Sequence, residues 1–105
     1  MRMTVPTARV LAVLLDDPDA DRYGLDLMQA TGLASGTLYP LLHRLVEAGW
    51  LTTRWEELDP ATQNRPARRY YRLTPEGATQ ARQALAELRS SIAAPAPTRA
   101  ARPAW

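Results

Sequence analysis

SGTLYPLLHRLVEAGWL, residues 35–51, reads as one helix followed by a break. Leu38, Leu41, Leu42, Leu45 and Val46 recur at i, i+3, i+4, i+7 and i+8, the spacing that keeps apolar side chains on one helical face. Gly49 is the natural stop. Pro40 conflicts with this pattern, because a proline in a helix interior removes one hydrogen bond and costs about 3 kcal/mol. The conflict disappears if the regular helix begins near Thr37. Pro40 then lies in the first turn, where its missing N–H would have had no partner. On that reading SGTLYP is a helix start with exposed amides, and Ser35 is its N-cap.

Upstream, Val5, Val10, Leu11, Val13, Leu14 and Leu15 mark a first helix over residues 6–16. DDPDAD (16–21) is a loop with Pro18 as the breaker. Asp21 is the N-cap expected for a second helix over 22–31, and Gly32 closes it. Only Leu33 and Ala34 separate that glycine from Ser35, so helices two and three form a helix-turn-helix.

Downstream the period changes to two. In WLTTRWEE (50–57), Leu51, Thr53 and Trp55 face one side, and Trp50, Thr52 and Arg54 the other. LDPATQNRPA (58–67) is a polar loop, too long for a tight hairpin turn. RRYYRLT (68–74) is a second strand, with Tyr71 and Leu73 on its core face. TPEG (74–77) opens a last helix, with Thr74 as N-cap, Pro75 at the first position and Glu76 in the first turn. Ala78, Ala81, Leu85, Leu88 and Ile92 then follow at 3-4-3-4 spacing. That narrow seam suits a partner helix, and it also suits the chain's own first helix. APAPTRAARPAW (94–105) is expected to be a disordered tail. The fold expected is mainly α with a small β-hairpin: a winged helix-turn-helix over 1–74, a dimerisation helix over 75–93, and the tail.

Composition excludes several classes of function. With no cysteine there is no disulfide, thiolate zinc site or cysteine nucleophile, which fits a reducing cytoplasm. No run approaches 18 apolar residues, so no membrane span is expected, and MRMTVPTARV lacks a signal-peptide core. There is one histidine and no phosphate-binding loop, and the carboxylates cluster only in a loop. We therefore expect no enzyme, no cofactor and no metal. All 13 basic residues are arginine, and Arg54, Arg65, Arg68, Arg69 and Arg72 lie in one stretch with only Glu56, Glu57 and Asp59 among them. Forked guanidinium donors suit phosphate recognition.

SGTLYPLLHRLVEAGWL followed by RPARRYYRLTPEGA resembles the PadR family of winged-helix transcriptional regulators, and more narrowly its short members with one C-terminal helix. RYGLDLMQATGL is similar to the family's second helix. The tight QATGLAS turn and the long wing loop depart from many members. The resemblance implies a homodimeric DNA-binding repressor that works in the cytoplasm on the nucleoid. Its third helix would enter the major groove of double-stranded DNA, and its wing would reach the minor groove or backbone. The C-terminal helices would pair, and a small aromatic effector could release the DNA. Tyr23 would touch backbone phosphate by the same analogy.

On helix three, Ser35, Gly36 and Thr37 offer backbone amides at a helix start, an anion site that coexists with simple capping. Thr37 and Tyr39 add hydroxyls for phosphate, although Tyr39 at the border of the face also suits core packing. His43 and Arg44 are the residues aimed at base edges, since arginine pairs bidentately with guanine; His43 as an idle surface residue is the competing reading. Glu47 is a solvated charge or a partner to Arg44. In the wing, Arg54, Arg65, Arg68 and Arg69 are the DNA-binding candidates, and Arg65 near the loop tip suits a narrow minor groove. Cross-hairpin pairing of Arg54 and Arg68 with Glu56 and Glu57 is the alternative. A winged-helix module for protein–protein contact, without DNA, is the competing function. The last helix carries no aromatic residue, so an aromatic effector pocket at a dimer interface is not supported.

Overall fold

The computed structural model describes residues 2–59, 61 and 64–93. The expected disordered tail, 94–105, lies outside the described residues. The element order is α1 (Val5–Asp16), β1 (Arg22–Tyr23), α2 (Gly24–Thr31), α3 (Ser35–Glu47), β2 (Leu51–Trp55), β3 (Arg69–Leu73) and α4 (Pro75–Ala93).

α1 starts on Thr4, whose Oγ1 accepts from the Thr7 amide at 3.2 Å. Its apolar stripe delivers Val10, Leu11 and Leu14 to the core. α2 begins at Gly24, two residues later than the Asp21 cap predicts. Arg22 and Tyr23 are instead a third short strand, paired with Tyr71 and Tyr70. The sheet is antiparallel with order β1-β3-β2, so the expected two-stranded wing gains an edge strand beside β3. Asp21 is drawn to arginines across the sheet and caps nothing. α2 ends at Gly32, with φ +75° and its amide bonded to the Met28 carbonyl. That left-handed conformation suits glycine.

α3 begins at Ser35 with Ala34 as its N-cap, and no side chain caps it. Pro40 is therefore the sixth helical residue, not part of the first turn. It leaves the Gly36 carbonyl without its i→i+4 donor. Both residues are exposed, so water can serve that carbonyl. The helix persists because Leu38, Leu41, Leu42 and Leu45 are all buried on its other face. Burial of each leucine contributes roughly 1.5–3 kcal/mol, together well above the loss at one proline. α3 ends in a Schellman turn: the Gly49 amide donates to Val46 and the Trp50 amide to Leu45. Gly49 takes the left-handed conformation that this turn requires.

The same turn is where α4 docks. The Thr74 amide donates to the Trp50 carbonyl at 3.0 Å, and Thr74 Oγ1 donates to the Gly49 carbonyl at 2.8 Å. Thr74 Oγ1 also accepts from the Gly77 amide at 2.8 Å, as expected of an N-cap. A Cβ on Gly77 would stand 2.0 Å from the Trp50 carbonyl oxygen, so only glycine allows this approach. AGWL and TPEG are thus two halves of one joint.

α4 packs along α1. Its seam divides. Ala78 and Ala81 are buried in the chain's own core, which corrects their expected place at a dimer interface. Leu85 and Leu88 are half-buried, and Ile92 is 76% exposed.

Candidate nucleic-acid interface

The outer face of α3 is open. Ser35, Gly36, Thr37, Tyr39, Pro40, His43, Arg44 and Glu47 are all exposed. The first helical bonds run from the Thr37 and Leu38 amides to the Ala34 carbonyl. Thr37 therefore has no free amide, contrary to expectation. The Ser35 and Gly36 amides keep no partner among the described residues. His43 Nε2 stands 2.9 Å from Glu47 Oε1, one turn away. Glu47 thus pairs with His43 and not with Arg44, while Arg44 projects without an ion pair among the described residues.

Tyr39 lies against the start of α2. A Cβ on Gly24 would meet its hydroxyl at 2.0 Å, so the Tyr23-Gly24 pair seats the Tyr39 ring. Tyr39 and His43 on α3 share a cleft with Val46 and with Arg69 and Tyr71 on β3. A larger cleft of about 500 Å³ adjoins it, lined by the start of α2, Tyr39, Trp55 and the strand-entry residues Arg65 to Arg69. The exposed helix face and the wing therefore meet.

Strand parity sorts the arginines. Arg69 and Trp55 are register partners on the side that carries Leu51, Tyr71 and Leu73 toward α3. Beyond the core that face presents Arg69 over the Trp55 ring at 5.5 Å, with Nε donating to Thr53 Oγ1 at 2.9 Å. Trp55 is 61% exposed. Arg54 and Arg72 lie on the opposite side and converge on Asp21, at 2.6 Å and 3.1 Å. The Arg54 hydrogen bond is the main reason that the Asp21 carboxyl sits below its ordinary value, with Arg72 reinforcing it. Arg54 also lies 5.0 Å over Tyr70.

Arg68 stacks 4.4 Å over Tyr23, whose ring meets Tyr70 edge-on at 5.9 Å. Tyr23 is thus a platform for a cation. The alternative pairings of Arg54 and Arg68 with Glu56 and Glu57 do not form: Arg54 takes Asp21 and Arg68 takes a ring. Arg65, expected at the loop tip and free for a minor groove, is turned back. Its two terminal nitrogens grip Glu56 at 2.7 Å and 3.2 Å. Tyr70 Oη also donates to Glu56 at 2.9 Å. These donors, Arg65 first, hold the Glu56 carboxyl down to about 2.

The wing cations therefore fall into two sets. Arg54, Arg65 and Arg72 are paired with carboxylates, Arg54 and Arg72 sharing Asp21. Arg68 and Arg69 rest on aromatic rings and pair with no acid among the described residues. Strand parity was the available signal for Arg54 and Arg69. Asp21 and Glu56, which between them engage three arginines, were missed as organisers, and so was Trp55 as a platform. Asp21 stands 33 and 51 residues from its partners, a separation that leaves no local signature. Among the described residues, no group of His, Asp or Glu is placed to hold a metal ion, and no helix is long and apolar enough to cross a membrane.

The model of the PadR-like transcriptional regulator family matches residues 10–83. Among solved structures, smu.1704 from Streptococcus mutans UA159 is similar at 29% identity and TM-score 0.67, over 84% of this chain and 79% of that one. A PadR-like transcription factor from Bacteroides fragilis is similar at 28% identity and TM-score 0.65, over 82% and 84%. AbfR, from Staphylococcus epidermidis, was solved in its overoxidised form bound to DNA; it is similar at 25% identity and TM-score 0.67, over 94% of this chain and 65% of that one. A search of curated protein sequences gave no match. With the helix-turn-helix, the wing and the family model in agreement, the chain belongs to the PadR-like family of DNA-binding transcriptional regulators, which are not enzymes.

Proposed function

We propose that the protein is a homodimeric repressor that binds a palindromic operator through the outer face of α3 and through Arg68 and Arg69. The observation that carries this reading is the convergence of the exposed α3 face with two arginines that pair with no carboxylate among the described residues. Guanidinium groups held on rings keep their charge and their forked donors for phosphate. The Ser35 and Gly36 amides, Thr37 and Tyr39 position the backbone, and Arg44 and His43 meet base edges. The DNA-bound AbfR structure supports the same use of the fold.

Pairing is supported by an open apolar groove between α1 and α4, about 470 Å³, lined by Val5, Ala8, Ala12, Leu85, Leu88 and Ile92. Val5 is 65% exposed, and a second copy of α4 would cover it. Two-fold pairing sets the recognition helices about one DNA turn apart, hence a palindromic site. Among the described residues no aromatic side chain lines this groove, so we assign it no aromatic effector. On this reading the protein represses by occluding its operator, in the cytoplasm on the nucleoid.

Selection of genomic fragments by the purified protein, followed by a gel-shift series in salt, tests the reading. The expected result is enrichment of palindromic sites bound by a dimer, with affinity falling steeply as salt rises. A monomeric mass unchanged by Leu85→Asp would overturn the dimer. No shift with any fragment at low salt would overturn DNA binding and favour a protein partner.

A further inference from the structure

The loop joining β2 to β3 is held at its root by charge. The Glu56 amide donates to the Arg68 carbonyl at 2.7 Å, extending the hairpin by one rung. Its carboxylate then takes both terminal nitrogens of Arg65 and the hydroxyl of Tyr70. The pair is largely shielded: the Glu56 side chain is 16% exposed and that of Arg65 34%. Arg65 nevertheless lines the cleft shared by Arg68, Arg69 and Tyr39. A cation thus sits at the proposed phosphate surface with its fork already filled by an anion.

We infer that Glu56 is an internal competitor for phosphate, which holds the Arg65 fork in the free protein and thereby limits how strongly the wing grips DNA. The inference rests on the DNA-binding reading above. Carboxylate and phosphate use the same bidentate geometry on guanidinium. A phosphate approaching Arg65 must displace Glu56, which then faces that phosphate as an unpaired like charge. The exchange nearly cancels, so Arg65 adds little to affinity while Glu56 is charged. The adjacent Glu57 is exposed and makes no bond to Arg65, so it reports the general effect of one negative charge at this end of the hairpin.

The test is a double-mutant cycle in DNA binding with Glu56→Gln, Arg65→Ala and their combination, with Glu57→Gln as the charge control. The probe is the fragment selected by the wild-type protein, titrated between 50 and 200 mM salt. The expected result is that Glu56→Gln tightens binding roughly 3- to 10-fold at the lower salt and steepens the log–log salt slope by about 0.9 per wing. Arg65→Ala alone should weaken binding modestly, because it leaves the Glu56 charge unpaired beside the phosphate, and added to Glu56→Gln it should abolish the gain. Glu57→Gln should fall well short of Glu56→Gln. Three outcomes overturn the inference while leaving the DNA-binding reading intact. They are a gain that survives Arg65→Ala, an equal gain from Glu57→Gln, and weaker binding in both single variants, which would make the pair a support for the wing. Failure of the wild-type protein to bind any fragment overturns both.

Discussion

The two ends of the β2–β3 hairpin are built on different physics. At the base, Leu51 pairs with Leu73, both are buried, and Thr74 and Gly77 lock onto the Gly49–Trp50 turn through backbone groups. At the far end, Trp55 pairs with Arg69, both are exposed, and the loop is held by Arg65, Glu56 and Tyr70. The base is fixed by shape and satisfied backbone, and few residues fit there. The far end is fixed by charges and rings that can exchange partners. Such exchange is what a surface that meets a polyanion requires. The difference separates residues that make the fold from residues that make the interface.

Breaking the base should produce the largest effects. Gly77→Ala places a methyl against the Trp50 backbone, which cannot yield as a side chain would. We expect a loss of roughly 3 kcal/mol or more in urea unfolding. A loss below 1 kcal/mol would show that α4 docks loosely. Pro40→Ala sharpens the contrast within α3: it restores a donor to the Gly36 carbonyl on the exposed face, so stability should rise by roughly 1–3 kcal/mol. A fall would mean that the proline contributes to packing. Thr74→Ala removes the α4 cap and should destabilise by about 1 kcal/mol, read from the same denaturation midpoint.

The far end should respond to pH. Glu56 lies at about 2 in the folded chain against an ordinary 4.5. Its folded value is depressed, so its contribution is complete above pH 4.5 and disappears as pH falls through about 2. A carboxyl titration by NMR should place Glu56 near 2, and Arg65→Ala should move it up toward 4.5. A wild-type midpoint already near 4.5 would show that the pair is not formed in solution.

The base was legible in the sequence and the far end was not, for the same reason. Apolar periodicity located α3 and β3, and Thr74-Pro75 fixed the start of α4 at the residue observed. These are local signals with one good solution. Pro40 misled the reading of α3, because local helix cost was weighed without the four leucines buried on the opposite face. β1 was hidden because a two-residue edge strand exists only through its partner β3. The arginines were legible as a set, but their partners were not. Five guanidiniums and several carboxylates allow many matches, and the fold selects among them by bringing Asp21 across the sheet. Parity alone would have put Arg54 and Arg69 on opposite faces.

The central claim is that Arg68 and Arg69, and not Arg54 or Arg72, meet the DNA beside α3. The most direct measurement is the salt dependence of operator binding for Arg69→Ala beside Arg54→Ala. The account predicts that Arg69→Ala weakens binding and flattens the log–log slope by about 0.9 per wing, while Arg54→Ala leaves the slope unchanged. Equal flattening by both variants, or a slope that only Arg54→Ala alters, would contradict it.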